Sequence, residues 1–340
     1  MTIREIAALA GVSPAAVSLV INRKKGVSEE TRQRILAVME ENGYEAPVRR
    51  RGEHPVHILV LKYRVHGIAF EENQGFIASI IDRIETECRH HGYELAVYSC
   101  EPDTAAETFR SLMGANAPDG VILIATELPE EDLGLLDLIS APLVVLDQNV
   151  IHPGADCVVM DNAALMGSLV RYLYENGHRD IGYFKFSRPV HNCDERYEGY
   201  RAALKDLGLD APEPILLKPT VDGAFEDLAK RIREGTYVPH GAVVCDNDTI
   251  AIGAIKAIRE AGYSIPEDIS IIGFDDIPFS STTMPALTTM RISRSAMGEM
   301  AVSILRRRMK HPDEPRMRLL LGGKLIVRNS TRAVKEGGQP

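Results

Sequence analysis

The sequence predicts a small all-α helix–turn–helix head followed by a two-lobed α/β body with parallel sheets. Three observations carry that prediction. The first 46 residues show only helical periodicity, punctuated by turn and capping residues. From His57 onward, apolar strand-length runs alternate with amphipathic helix-length segments. That second region is roughly 275 residues long, more than one sheet accommodates, so two similar lobes are expected.

In the head, Thr2 and Glu5 form a capping box, followed by apolar Ile3, Ile6, Ala7 and Ala10. Gly11 stops this helix. Ser13 caps the next, with Pro14 at its first position, where a missing N–H costs nothing. Val17, Val20 and Ile21 give the second helix an inward face, leaving Ala15, Ser18, Leu19 and Asn22 outward, followed by Arg23, Lys24 and Lys25. A third helix starts at Ser28, buries Ile35, Val38 and Met39, and ends at Gly43. A second helix followed by basic residues is the arrangement that enters a major groove and grips phosphates; a small helical cap on a larger domain is the plain alternative.

Charge is divided the same way. Residues 1–51 hold nine Lys/Arg and six Asp/Glu, net +3, leaving −12 for the rest of a chain whose total is −9. A basic N-terminal segment on an acidic remainder permits nucleic-acid binding by that segment. The five cysteines (88, 100, 157, 193 and 245) are odd in number and never in a C-x-x-C pair. That suits a reducing cytoplasm and neither a disulfide framework nor a zinc site. The longest apolar runs are strand-length and MTIREIAALAGV has no signal-peptide pattern, so a cytoplasmic protein without membrane association is expected.

In the body the expected strands are 56–62, 94–99, 120–125, 142–147, 157–161, 181–186, 241–246 and 269–275, separated by helices such as 76–92, 164–177 and 248–262. Short connections between such elements imply parallel sheets covered on both faces, with ligands bound beyond the carboxyl ends of the strands. Those ends carry Asp147-Gln148-Asn149, Asp161-Asn162, Asp246-Asn247-Asp248 and Asp275-Asp276, and the segment HNCDERYEGYR places Arg196 at a helix entry. Carboxylates and amides match hydroxyl donors and acceptors, and arginine adds a bidentate fork. Asn162 and Asp248 read as helix N-caps. Asp147, Arg196, Asn247 and Asp275 read as ligand groups, with Asp161 and Asp246 beside them. Phe76, Phe225 and Phe279 are the nearest candidates for a stacking face.

TIREIAALAGVSPAAVSLVIN, VSEETRQRI and ENGY together resemble the DNA-binding head of the lactose-repressor (LacI/GalR) family of bacterial transcriptional regulators. GHRDIGYF, ERYEGYRAAL, NDTIAIGAIKAIREAG, IPEDISIIGFDDIPFSS, PALTTMRIS and LIVRNST carry the resemblance through the body. It implies a periplasmic-binding-protein-like body and a homodimer on palindromic double-stranded operator DNA, controlled by a small-molecule effector between the lobes. By position it makes Thr2, Ser18, Asn22, Ser28 and Thr31 phosphate contacts and Pro14, Ala15 and Leu19 base-reading positions. Asp147, Arg196, Asn247 and Asp275 become effector contacts. Sugar binders and purine binders of the family share the Arg and Asp positions; the acidic and amide groups here point to a sugar or sugar derivative.

The chain departs from the family in two places. Many relatives have arginine where Leu19 stands, and leucine packs against a thymine methyl but cannot fork onto guanine. The linker EAPVRRRGEHPV holds Pro47, Gly52 and Pro55 and lacks the leucine of the usual hinge helix, leaving Arg49, Arg50 and Arg51 either to reach phosphates or a narrow minor groove or to form a solvated flexible tether. The expected domains are a head at 1–46, this short linker at 47–55, a body at 56–332 and a disordered tail at 333–340. Lobe one would take 56–160 and 291–318, and lobe two 161–290 and 319–332. No P-loop, nucleophile elbow, H-E-x-x-H or G-x-G-x-x-G is present, so catalytic residues, metals and cofactors are not expected. A body that answers to a protein partner, and a solute-binding protein, stand as the other readings.

Overall fold

The computed structural model describes residues 3–21, 27–41, 55–67, 75–114 and 116–334. Its head has three helices, α1 (Ile3–Ala10), α2 (Pro14–Ile21) and α3 (Glu29–Glu41). Gly11, at φ 63°, turns the chain out of α1, and the Val12 N–H closes the turn onto the Ala7 carbonyl at 3.0 Å. Ser13 Oγ caps α2 by accepting the Ala16 N–H at 3.2 Å, and Ser28 Oγ caps α3 by accepting the Thr31 N–H at 3.2 Å. Ile6, Ala7, Ala10, Val17, Val20, Ile35 and Met39 form the buried core the periodicity predicts. The side chains of Ile3, Ala15, Ser18, Leu19 and Ile21 lie outside the described residues, as do Thr2, Asn22, Arg23, Gly43 and the linker arginines 49–51.

The body holds two six-stranded sheets. The first is built from β1 (His57–Tyr63), β2 (Glu94–Cys100), β3 (Gly120–Ile124), β4 (Leu143–Leu146), β5 (Ala155–Met160) and the late strand β11 (Arg318–Leu321). Its order is β11-β5-β4-β3-β1-β2, and every pairing is parallel. The second contains β6 (Ile181–Phe186), β7 (Ile215–Leu217), β8 (Ala242–Cys245), β9 (Ser270–Asp275), β10 (Thr288–Ile292) and β12 (Gly323–Ile326). Its order is β12-β10-β9-β8-β6-β7, parallel except where β12 runs against β10. Helices α4 (Phe76–His91), α5 (Pro102–Leu112) and α10 (Arg294–Lys310) belong to the first lobe; α6 (Asn162–Glu175), α7 (His191–Asp206), α8 (Val221–Arg233) and α9 (Asp248–Glu260) belong to the second. Central strands such as β3, β4 and β5 are buried along their whole length, as strands covered on both faces must be.

The chain passes between lobes three times, at Asp161, Ser293 and Gly322. At the first two passages a helix starts at once: Asp161 accepts the Ala164 N–H at 3.3 Å and Ser293 Oγ accepts the Ala296 N–H at 3.2 Å. The third falls later than the expected boundary at 318, because β11 stays in register with β5 from Arg318 opposite Cys157 to Leu321 opposite Met160. The ordered chain also runs past 332. The Val334 N–H donates to the Asn176 carbonyl at 2.7 Å, so the expected tail is docked at its start, and residues 335–340 lie outside the described residues. No helix among the described residues is long and apolar enough to cross a membrane.

Candidate ligand-binding cleft between the lobes

The two sheets present their carboxyl ends to one cleft, whose non-atom space, open mouth included, is about 500 Å³. The first lobe supplies Phe76 and Ile77 from the start of α4, Thr126 after β3, Asp147 after β4 and Met160 from β5. The second supplies Phe186 from β6, Val190, Asn192, Cys193 and Arg196 at the start of α7, Pro219, Asn247 after β8 and Asp275 at the end of β9. Such a mixture of apolar walls with a few convergent polar groups is typical of small-molecule sites.

Arg196 is the buried cation of this cleft, 5 % exposed. Its Nε donates to Asn162 Oδ1 at 2.9 Å, Nη1 to the Asp246 carbonyl at 2.6 Å, and Nη2 lies 3.2 Å from Met160 Sδ and 3.7 Å from Asp275 Oδ1. The guanidinium carbon sits 4.0 Å over the Phe274 ring. Burial opposes its charge, but Asp275 and Asp246 outweigh that, so it stays protonated.

Around it are buried acids. Burial raises the Asp147 carboxyl to about 7, against the pull of the Thr126 hydroxyl at 2.6 Å, Arg196 and the Asn192 amide at 3.2 Å; Asp275 adds to the rise. Asp246 is raised by burial to about 6, although it accepts from the Phe186 N–H at 2.5 Å and the Tyr183 hydroxyl. Asp248 is raised by burial to about 7 while accepting from Ser280 Oγ at 2.5 Å, Thr289 Oγ1 at 2.6 Å and the Ile277 N–H at 3.0 Å. Asp147, Asp275 and Asp276 also have positive φ (64°, 108° and 51°), and are the non-glycine residues that do so among those described. Backbone strain therefore gathers at the strand ends that face the cleft.

Asp147, Arg196, Asn247 and Asp275 thus meet at one cleft, and Phe76 lines it too, 3 % exposed. Four of the other candidates stand elsewhere. Phe279 is 59 % exposed in a single 3₁₀ turn and lines no wall of the cleft. Asp161 caps α6 at the first passage between lobes. Asp246 lies beneath the cleft with its carboxylate sealed by Tyr183 and Phe186, and reaches the site only through its carbonyl on Arg196. Phe225 instead sits under the Lys256 ammonium, 4.0 Å from its ring centroid.

The two cap assignments are each displaced by one residue. Asp161, not Asn162, caps α6, and Asn247, not Asp248, caps α9 by accepting the Ile250 N–H at 2.9 Å. Asn162 is released to hold Arg196, and Asp248 to tie the start of α9 to β10 and to the 278–281 turn. Thr126, Phe186, Asn192 and Cys193 escaped sequence reasoning. Asn192 had a usable signal: it precedes Arg196 by four residues, hence one turn up the same helix face.

In the head, Ser13 and Pro14 are exposed and Thr31 is half-buried, while the exposed Ser28 hydroxyl donates to Thr31 Oγ1 at 2.9 Å. Among the described residues no group of three or more His, Cys, Asp or Glu side chains is placed to hold a metal ion.

Comparison with known proteins places both parts. Residues 2–46 match the model for bacterial regulatory proteins of the lacI family, and residues 170–331 match the periplasmic binding protein-like domain. The HTH-type transcriptional repressor PurR of Pasteurella multocida is 31 % identical over 340 residues, covering 98 % of this chain and 99 % of that one. The solved lac repressor dimer bound to operator and the anti-inducer ONPF aligns with a TM-score of 0.73 at 23 % identity, covering 98 % and 99 % of the two chains. A lacI-family regulator from Enterococcus faecium with bound ribose aligns with a TM-score of 0.67 at 26 % identity, over 82 % of this chain and 100 % of that one. With a head that matches the family's model and a relative similar from end to end, this chain belongs to the lacI family and is a DNA-binding transcriptional repressor, not an enzyme.

Proposed function

We propose that this repressor acts in the cytoplasm as a homodimer on a palindromic operator, and that a small uncharged, hydroxyl-rich molecule of the sugar class, bound between the lobes, sets its operator affinity. One observation carries the ligand class: Asp147 and Asp275 bring carboxylates to the same cleft that Arg196 and Asn247 line with a guanidinium and an amide, while Thr126 and Asn192 hold Asp147 in place. Paired acceptors and donors fit a ring hydroxyl, which does both. A ligand carrying net negative charge would meet more buried carboxylates than cations there. The ribose-bound family member from Enterococcus faecium supports the same class. A flat purine-type heterocycle is the second reading, favoured by Phe76 and Phe186, which line the cleft from opposite lobes.

In the head, Pro14, Ala15 and Leu19 would read bases, and Ser13, Ser18, Asn22, Arg23, Ser28, Thr31 and Thr2 would surround them with phosphate contacts, the linker's Arg49–Arg51 adding more. With leucine at position 19 the half-site should tolerate A·T where an arginine would demand guanine. Selection of operator sequences from random duplex DNA, with sugars and nucleobases added in turn, tests both halves. The expected result is a palindromic consensus, with half-sites about one helical turn apart, whose recovery changes with a sugar. The Leu19→Arg variant should shift one position of each half-site toward G. A consensus that responds only to purines would select the second reading, and one indifferent to every compound would reject a small-molecule effector.

A further inference from the structure

Several side chains reach across the cleft from α7 to the first lobe. Asn192 Nδ2 donates to the Asp147 carbonyl at 2.9 Å. Asn149 Nδ2, from the loop after β4, donates to Glu195 Oε1 at 2.6 Å. His191 stands between two carboxylates, Glu195 of its own helix at 3.6 Å and Glu130 of the first lobe at 3.7 Å. Residues 191, 192, 195 and 196 share one face of α7, so a single helical surface carries both these ties and the cleft arginine.

Glu195 is the hub of the set. Its second oxygen, Oε2, accepts from Asn162 Nδ2 at 2.9 Å, and Asn162 Oδ1 accepts from Arg196 Nε at 2.9 Å. A continuous run of hydrogen bonds thus leads from Asn149 in the first lobe through Glu195 and Asn162 to the guanidinium facing the ligand. The carboxylate is only 20 % exposed. His191, Asn149 and Asn162 together hold it below the ordinary glutamate range against the opposing effect of burial, so it is an anion throughout the physiological range. Hydrogen bonds to such an anion are among the stronger ones a protein makes.

We propose that Glu195 is the clasp of this repressor: by holding Asn149 of the facing lobe and, through Asn162, the cleft's Arg196, it sets the balance between open and closed lobes and couples closure to the orientation of the ligand-binding cation. Glu195 is a positioning residue, since it does not line the cleft itself. The coupling to ligand rests on the function proposed above; the effect on the lobes does not.

The test is the distance between lobes in the full-length protein, read by pulsed electron spin resonance from labels at Glu107→Cys on α5 and Lys205→Cys on α7. Both positions are exposed, whereas all five native cysteines are buried. Asn149→Ala and Glu195→Ala should each move the distribution toward longer distances, and the double variant should add nothing further. Asn149→Asp, which sets two carboxylates face to face, should open the lobes, and adding Glu195→Gln should close them again by restoring one donor and one acceptor. A variant that merely unfolds would show in a lost thermal transition and could not be rescued by this exchange. Any compound found to bind should bind about ten-fold more weakly to the opened variants, because the competent arrangement is rarer. Unchanged distances, strictly additive effects or failure of the exchange to rescue would overturn the clasp. An effector search without a hit, alongside distances that move as expected, would overturn only the small-molecule reading.

Discussion

Asp248 shows how one buried side chain leaves a signature on the whole protein. Its carboxyl is raised from 3.8 to about 7, so between those values the folded state holds a proton that the unfolded chain has released. Stability from this group is complete below about pH 4 and is lost as pH rises toward 7; Asp147 and Asp246 act with the same sign. Glu195, whose carboxyl is lowered, acts in the opposite sense and loses its contribution as pH falls into the acid range. Thermal melting at pH 5 and pH 7.5 should therefore give a smaller drop for Asp248→Asn than for the parent, and equal drops would mean that Asp248 is already ionised at pH 5. Arg196→Lys belongs to the same scale. An ammonium cannot hold Asn162, the Asp246 carbonyl and a ligand in one plane, so effector control of operator binding should fall at least ten-fold with the fold intact. Calorimetric titration beside a circular dichroism spectrum would check both halves of that expectation.

At the scale of elements, the close approach of α6 and α7 depends on Gly199. A Cβ there would lie 2.6 Å from the Cα and 2.8 Å from the carbonyl carbon of Ala163, backbone atoms that cannot step aside alone. Gly199→Ala should cost about 1–3 kcal/mol, seen as a lower urea midpoint, and a neutral result would show that the two helices have room to slide. The elements that were legible in the sequence are those with long, regular periods. α4 buries Phe76, Ile77, Ile80, Ile84 and Cys88 on one stripe, and β3 buries every residue. β7, β11 and β12, at three or four residues each, are sheet edges too short to show any period. The caps slipped for a different reason. Asp161-Asn162 and Asn247-Asp248 each offer two good capping residues in succession, and only the three-dimensional demand for a partner to Arg196 and for an anchor beneath β10 decides which one caps. Four cleft residues were legible because a carboxylate, amide or arginine after a strand is chemically conspicuous. Thr126 and Phe186 were not, since nothing local marks a threonine or phenylalanine whose partners come from elsewhere in the chain.

The molecule as a whole separates charge, with residues 1–51 at net +3, an excess supplied by the linker's Arg49–Arg51, and the rest of the chain at −12. Operator affinity should lean on the phosphates that the head can reach. Six to ten such contacts in a dimer predict a loss of about 10³-fold or more between 50 and 200 mM salt, and a filter-binding series that stays flat would move recognition onto the bases.

The third passage between lobes sets the geometry of any motion. Gly322 alone separates Leu321, the end of an edge strand in the first sheet, from Gly323, the start of an edge strand in the second. Successive Cα atoms are about 3.8 Å apart, so these two edges stay within roughly 7 Å of each other whatever the lobes do. The body is bound along that edge like the spine of a book. β2 and β7 are the fore-edges, five strand spacings or about 24 Å away at about 4.8 Å each. A turn on the order of 15°, such as assemblies of this kind of rigid body make, would shift the spine hardly at all and the fore-edge by about 6 Å. β1 lies next to β2, and its first residue, His57, follows directly on the linker to the head. The leverage is therefore greatest close to where the DNA-binding part is attached, where a modest twist of the lobes would become a displacement comparable with the width of a minor groove.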